Sequence, residues 1–184
     1  MKKVILCLAV VAAAFSANAQ DAKMAVKKFR FGVGVEAALP IGDFQEIAGF
    51  GIGGSVQGDY NVDPSLAITL NAGYISFSGK DVTINVAGVN FTTKYPNTGL
   101  VPVLAGIQYK FTPQFFASAQ LGIAFSTEED GGSNFTYAPG IGYKFTPNFD
   151  ALLKYTGYSV KSSGTSGGSA SALNTIGLRV AYTF

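Results

Sequence analysis

Residues 109–115 read YKFTPQF, residues 143–149 read YKFTPNF, and the sequence closes at 182–184 with YTF. In both phrases Tyr and Phe share one parity, while Lys110 or Lys144 takes the other. Alternate residues of a strand point to opposite faces, so each phrase reads as a strand end with aromatic residues on one face and a charge on the other. Thr-Pro then begins a turn, where the missing proline N–H interrupts no ladder. One strand, one loop and one returning strand fit between the phrases, which places both at short turns on the same side of a sheet.

The same period of two runs outward from these phrases. Phe29, Phe31, Val33, Val35 and Ala37 alternate with Arg30, Gly32, Gly34, Glu36 and Ala38. Val101, Val103, Ala105, Ile107, Tyr109 and Phe111 oppose Gly106, Gln108 and Lys110, and Ile176, Leu178, Val180, Tyr182 and Phe184 oppose Gly177, Arg179, Ala181 and Thr183. Segments with similar alternation start near Phe50, Leu66, Ala117, Phe135 and Phe149, so the expectation is eight strands. Their connections alternate in length. The stretches around Asp63-Pro64, Thr112-Pro113 and Thr146-Pro147 are short, whereas 39–48, 79–99, 127–133 and the Ser/Gly-rich 161–171 are longer. Residues 81–87 and 89–95 alternate too, but each arm is short for a crossing, and they read as a hairpin above the membrane surface with Gly88 near its tip.

The first nineteen residues stand apart. Basic MKK, an apolar core and Ala17-Asn18-Ala19 form an export signal. The division expected is a signal peptide over 1–19, a short periplasmic segment over 20–28 and a barrel over 29–184. Cys7 leaves with the signal, so the mature chain has no disulfide chemistry. Without Lys2 and Lys3 the thirteen basic residues become eleven, matching the eleven acidic ones. No basic field exists for nucleic acid. Any membrane crossing has to be made by strands, because after the signal no apolar run approaches a membrane helix.

Short turns on one side and long loops on the other are the asymmetry of an outer-membrane barrel. The fold class expected is all-β, an eight-stranded antiparallel up-and-down transmembrane barrel. The apolar parity carries no charge in the eight segments and suits lipid; the small and polar parity suits a narrow lumen. That parity puts Arg30, Glu36, Asp59, Lys110, Lys144, Asp150, Lys154 and Arg179 inside, where a closed interior requires them to pair in a network. Tyr60, Tyr109, Phe111, Tyr143, Phe145 and Phe149 fall near the short-turn side and predict a periplasmic aromatic girdle.

GLRVAYTF at 177–184 resembles the terminal strand of bacterial outer-membrane barrels, with Gly177, Tyr182 and a final Phe184. From about Lys27 to Phe184 the chain is similar to the small eight-stranded OmpA/OmpX-like family, in the glycine-rich form common in Bacteroides-type bacteria. The resemblance implies recognition of Gly177, Tyr182 and Phe184 by the barrel-assembly machinery. It implies surroundings of outer-membrane lipid and lipopolysaccharide, a monomer, and both mature termini in the periplasm. A peptidoglycan-binding domain is expected to be missing, since the sequence ends on the barrel.

Catalysis is poorly provided for. There is no histidine, so the usual nucleophile–base pairs and transition-metal clusters cannot form. Asp59 and Asp150 would act as a pair only by meeting in the lumen, and both are simpler as partners of Lys or Arg. Glu128, Glu129 and Asp130 read first as a solvated loop cluster and second as a group that binds a divalent cation or bridges to lipopolysaccharide through one, although the spacing matches no dedicated calcium loop. No cofactor is expected. Eight strands enclose room for side chains and little more. The expected function is therefore non-enzymatic: a barrel presenting four surface loops, with an adhesion or envelope-integrity role and a possible surface or envelope protein as partner. A narrow channel for small solutes is the second reading and a lipid-modifying enzyme the third.

Overall fold

The computed structural model describes residues 28–86, 89–128, 132–159 and 172–184. The expected signal peptide, nearly all of 20–28, Gly88, Glu129, Asp130 and the 161–171 loop lie outside them.

The elements run β1 (Phe29–Ile41), α1 (Phe44–Ile47), β2 (Ala48–Asn61), β3 (Leu66–Gly79), β4 (Asp81–Val86), β5 (Val89–Lys94), β6 (Thr98–Lys110), β7 (Phe115–Ser126), β8 (Ser133–Lys144), β9 (Phe149–Ser159) and β10 (Ala172–Thr183). Eight of the strands close in the order β1-β10-β9-β8-β7-β6-β3-β2, and β4 and β5 form a separate two-stranded sheet. All neighbours are antiparallel, and the closing pair sets Glu36 opposite Arg179. Closure satisfies the strand N–H and C=O groups all the way round, which lipid demands. The eight-strand expectation holds, and residues 81–94 add a hairpin rather than two more crossings. The first connection is shorter than the expected 39–48. Alternation persists to Ile41, with Leu39 exposed and Pro40 buried, so only 42–47 is left outside the strands.

Inside and outside follow the alternation. Val35, Ile52, Leu70, Leu121, Ile141 and Leu153 point outward and are exposed, while Glu36, Asn71, Gln120, Thr136 and Thr175 point inward and are buried. Strands β6 and β7 need close approach to their neighbours, and the narrow lumen needs room for a few large groups. At Gly142 a Cβ would collide with the Phe116 ring, so glycine there is what lets an aromatic side chain lie inside the barrel.

The three short turns share one construction. Phe115 N and Gln114 N donate to Thr112 Oγ1 at 2.9 and 3.3 Å. Phe149 N and Asn148 N donate to Thr146 Oγ1 at 3.0 and 3.3 Å. In the first turn Asp63 Oδ1 takes the same place, accepting from Leu66 N at 2.8 Å and Ser65 N at 2.6 Å. These are the side-chain turns that Asp and Thr favour, with proline next in line. Tyr60-Asn61-Val62-Asp63-Pro64 is therefore another copy of the phrase at 109 and 143, with Asp standing for Thr. Each phrase also donates to the preceding rim segment: Asn61 N to Lys28 O at 2.7 Å, Lys110 N to Ser65 O at 2.8 Å, Lys144 N to Gln114 O at 2.8 Å, and Thr183 N to Asn148 O at 2.7 Å. The short-turn rim is thus a chain of linked turns, and YTF is its last link.

This makes a graded prediction. Thr146→Val keeps the shape and removes the acceptor of two backbone N–H groups, and should cost about 0.5–1.5 kcal/mol. Asp63→Thr should be close to neutral, because threonine does the same work at 112 and 146. Urea titration of protein refolded in micelles checks both; equal losses for the two would contradict the shared construction.

Candidate functional site

The interior of the barrel is where a pore or a reaction would have to be, and its side chains sort by height. Nearest the short turns, Lys144 Nζ lies 3.3 Å from Asp150 Oδ2 and 5.0 Å from the centre of the Phe116 ring. Register explains the ion pair, since Lys144 and Asp150 face each other across β8 and β9. Arg30 and Lys110 meet backbone instead of carboxylate. Arg30 Nη2 donates to Pro147 O at 2.7 Å and Lys110 Nζ to Pro64 O at 3.1 Å.

Deeper in, an amide layer crosses the lumen. Gln57 Nε2 donates to Asp59 Oδ1 at 2.8 Å. Gln57 Oε1 accepts from Asn71 Nδ2 at 3.4 Å and Gln120 Nε2 at 3.3 Å. Gln120 Nε2 also reaches Thr69 Oγ1 at 3.2 Å. Beside this layer is a buried ionic knot. Lys154 Nζ donates to Glu36 Oε2 at 2.7 Å, and Arg179 Nε is 3.9 Å from Glu36 Oε1 and donates to Ser55 Oγ at 2.9 Å. Lys154 on β9 reaches Glu36 on β1 over Gly177, which faces Lys154 in register on β10. The eight expected lumen charges are therefore not one network. By direct bonds, Glu36, Lys154 and Arg179 form one group, Lys144 and Asp150 a second, and Asp59 joins amides. Arg30 and Lys110 are cations that cap turns at the rim. Asp59 and Asp150 each have their own partner, so no carboxylate pair arises.

At the long-loop end the lumen turns apolar. Ala38, Phe44, Ala48, Ile75, Phe77, Leu100, Ala124 and Tyr158 form one buried cluster, with Leu173 against it. Phe44 comes from α1 and meets Phe77 edge-on at 5.1 Å. Lys80 holds α1 down, donating from Nζ to Gln45 O at 2.6 Å and from its backbone N to Ile47 O at 3.1 Å. Leu104, Leu152 and Phe116 also point inward lower down and are buried. This cluster had a signal in the sequence. Along β3, apolar residues occupy the outward parity up to Tyr74 and then the inward parity at Ile75 and Phe77, with Ser76 and Ser78 outside. Such an inversion is what a strand needs on leaving lipid for water, since the outer face becomes the wet one. This cluster plugs the long-loop mouth, and a cavity of about 140 Å³ borders it, lined in part by Phe44, Ile47, Phe77, Tyr95 and Glu128.

On the outer surface the aromatics of the short-turn side stack in pairs. Tyr109 and Phe111 are 5.5 Å apart, Tyr143 and Phe145 5.2 Å, Phe145 and Phe149 5.9 Å, and Tyr182 and Phe184 5.1 Å. Tyr60 is 4.9 Å from Phe29 and Tyr143 is 4.9 Å from Phe115. Phe29 and Phe115 were not in the expected girdle, although Phe115 closes the phrase YKFTPQF.

Among the described residues there is no group of three or more His, Cys, Asp or Glu side chains able to hold a metal ion. Comparison with curated proteins gives no match. Solved structures give the fold. The N-terminal β-barrel domain of Pseudomonas aeruginosa OprF is 16% identical, covers 84% of this chain and 97% of its own, with a TM-score of 0.53. Yersinia pestis Ail in phospholipid bilayer nanodiscs is 13% identical, covering 84% and 99% with a TM-score of 0.53. Ail in complex with the heparin analogue sucrose octasulfate is 15% identical, covering 85% and 97% with a TM-score of 0.50. At such identities the likeness is one of architecture. Residues 7–184 match the family described as the outer membrane protein beta-barrel domain. With eight closed strands, a lipid-suited exterior and that match, the chain belongs to the outer membrane protein β-barrel family, crossing the outer membrane with its short turns and both barrel ends on the periplasmic side.

Proposed function

We propose that this chain is a non-enzymatic stave of the outer membrane that holds four surface loops in place, with an adhesion or envelope-integrity role. The observation that supports it most is the pairing of buried side chains along the lumen, among the described residues, with a hairpin built outside the barrel. The Phe44–Phe77 plug and the ionic knot leave side chains where a solute path would run. The β4–β5 hairpin offers strand edges to a partner.

The other assignments rest on the same reading. The barrel occupies 29–184, behind a signal over 1–19 and a periplasmic segment over 20–28. Tyr60, Tyr109, Phe111, Tyr143, Phe145 and Phe149, joined by Phe29 and Phe115, contact lipid headgroups. Arg30, Glu36, Asp59, Lys110, Lys144, Asp150, Lys154 and Arg179 hold the lumen and its periplasmic mouth. Gly177, Tyr182 and Phe184 present the strand to the assembly machinery. The monomer sits in lipid and lipopolysaccharide, and glycine-rich strands fit a Bacteroides-type member. Ail forms a complex with a sulfated analogue of heparin. The same ligand class does not suit the described part of the long-loop side, where Asp43, Glu46, Asp81 and Glu128 stand against Lys80.

Cross-linking on intact envelopes, with the full chain and with the hairpin 81–94 replaced by a short Gly-Ser turn, tests the role. Loss of a specific cross-linked partner is the expected result. An unchanged partner set, with the shortened barrel still folded, would contradict it.

A further inference from the structure

Seven neighbouring strand pairs of the barrel are joined along the chain, and β1 with β10 is the pair that no connection joins. Its closure brings together segments from opposite ends of the sequence, so it carries the largest loop-closure cost and the least local help. Non-covalent bonds at its ends therefore matter more than at any other pair.

The rim at this seam differs from the rest. Asn148 makes a two-point contact with the peptide of Thr183: its carbonyl accepts from Thr183 N at 2.7 Å and its Nδ2 donates to Thr183 O at 2.6 Å. That reproduces the exchange of a paired strand residue, one position beyond where the β9–β10 ladder ends at Phe149 and Tyr182. In the sister turn Gln114 supplies the carbonyl half, to Lys144 N at 2.8 Å, and its exposed side chain makes no hydrogen bond among the described residues. Gln114 against Asn148 is the only difference between YKFTPQF and YKFTPNF. The adjacent Pro147 carbonyl is taken by Arg30 Nη2 at 2.7 Å. Arg30 belongs to β1, so this bond passes over β10 to reach the β8–β9 turn. Lys110 makes the corresponding bond to Pro64 O, at 3.1 Å, only from the strand next door. Finally Phe184 N donates to Phe31 O at 2.8 Å.

We propose that residues 147–148 are the latch of the barrel seam. Asn148 holds the last strand and Pro147, through Arg30, holds the first, so one turn grips both strands that no connection joins. The wider guanidinium reach is what the two-strand span requires, and asparagine rather than glutamine is what the short distance to Thr183 O requires. This device is separate from recognition of the terminal strand by assembly factors, because it acts within the folded barrel.

Amide hydrogen exchange on protein refolded in micelles tests it. Asn148→Ala should accelerate exchange at Thr183, Phe184 and the facing β1 amides about tenfold or more, and leave β7–β8 amides unchanged. Arg30→Met should do the same on the β1 side. Gln114→Ala is the matched control and should alter neither region. Asn148→Gln, the sister residue, should behave like Asn148→Ala despite keeping the amide. Equal effects of Asn148→Ala and Gln114→Ala, or acceleration spread evenly around the rim, would overturn the latch. Refolding of each variant is read first from the mobility of unheated samples in SDS gels. If Asn148→Ala does not refold while Gln114→Ala does, the latch is supported; if both fail alike, it is overturned.

Discussion

Replacing Glu36 with Gln should destabilise the barrel by about 3–5 kcal/mol, the cost of breaking a buried ion group by removing one partner. Glu36 is the carboxylate shared by Lys154 and Arg179, and all three side chains are at most one-tenth exposed. Arg179 Nη2 is already buried without a hydrogen-bond partner among the described residues, so the guanidinium has no spare acceptor to turn to. Gln would keep a hydrogen bond to Lys154 and lose the charge that two cations share. The double variant Glu36→Gln, Lys154→Met removes one of the stranded cations and should recover a large part of the loss. Urea midpoints of the two variants and of Lys154→Met complete a double-mutant cycle, which isolates the coupling. Additive losses would mean that the knot is solvated and contributes little.

Phe77→Ala should cost a similar amount, about 3–5 kcal/mol, by emptying a well-packed site. Phe77 is fully buried, sits at the centre of the apolar cluster and contacts Phe44 of α1. Its loss should also free α1, so that proteolysis at 42–47 speeds up before the barrel unfolds. Phe50→Ala gives the contrast. Phe50 is half exposed on the outer face, and its removal should cost less and leave α1 protected. Equal stability losses and equal proteolysis in the two would show that the outer mouth is not a plug.

Much of this architecture is legible in the sequence. Period-two alternation told the faces apart, and charge-free outward parity told lipid from lumen. Thr-Pro turns told one rim from the other. What alternation does not carry is height along the barrel axis. Parity alone places Glu36, Asp59 and Lys110 in one interior, but strand register decides that Glu36 meets Lys154 from across β10 while Lys110 bonds a turn carbonyl. The plug was hidden for a related reason. A rule that assigns apolar residues to lipid holds only within the membrane, and at Ile75 and Phe77 the strand has left it. The additional copy of the rim phrase was hidden by chemistry rather than geometry. Asp63 accepts the same two backbone bonds as Thr112 and Thr146, so YNVDPSL and YKFTPQF share a structure and little spelling. Asn148 was missed because its difference from Gln114 looked conservative, and only the seam gives that methylene a meaning.

The barrel is closed and its described interior is packed with side chains, so the function proposed for this protein lies in what it holds outside. Single-channel recording after insertion into planar lipid bilayers tests this most directly. A flat baseline with no steady open level is the expected result for the unmodified chain. A stable, reproducible open current would contradict the closed lumen and replace the loop-presenting role with that of a pore.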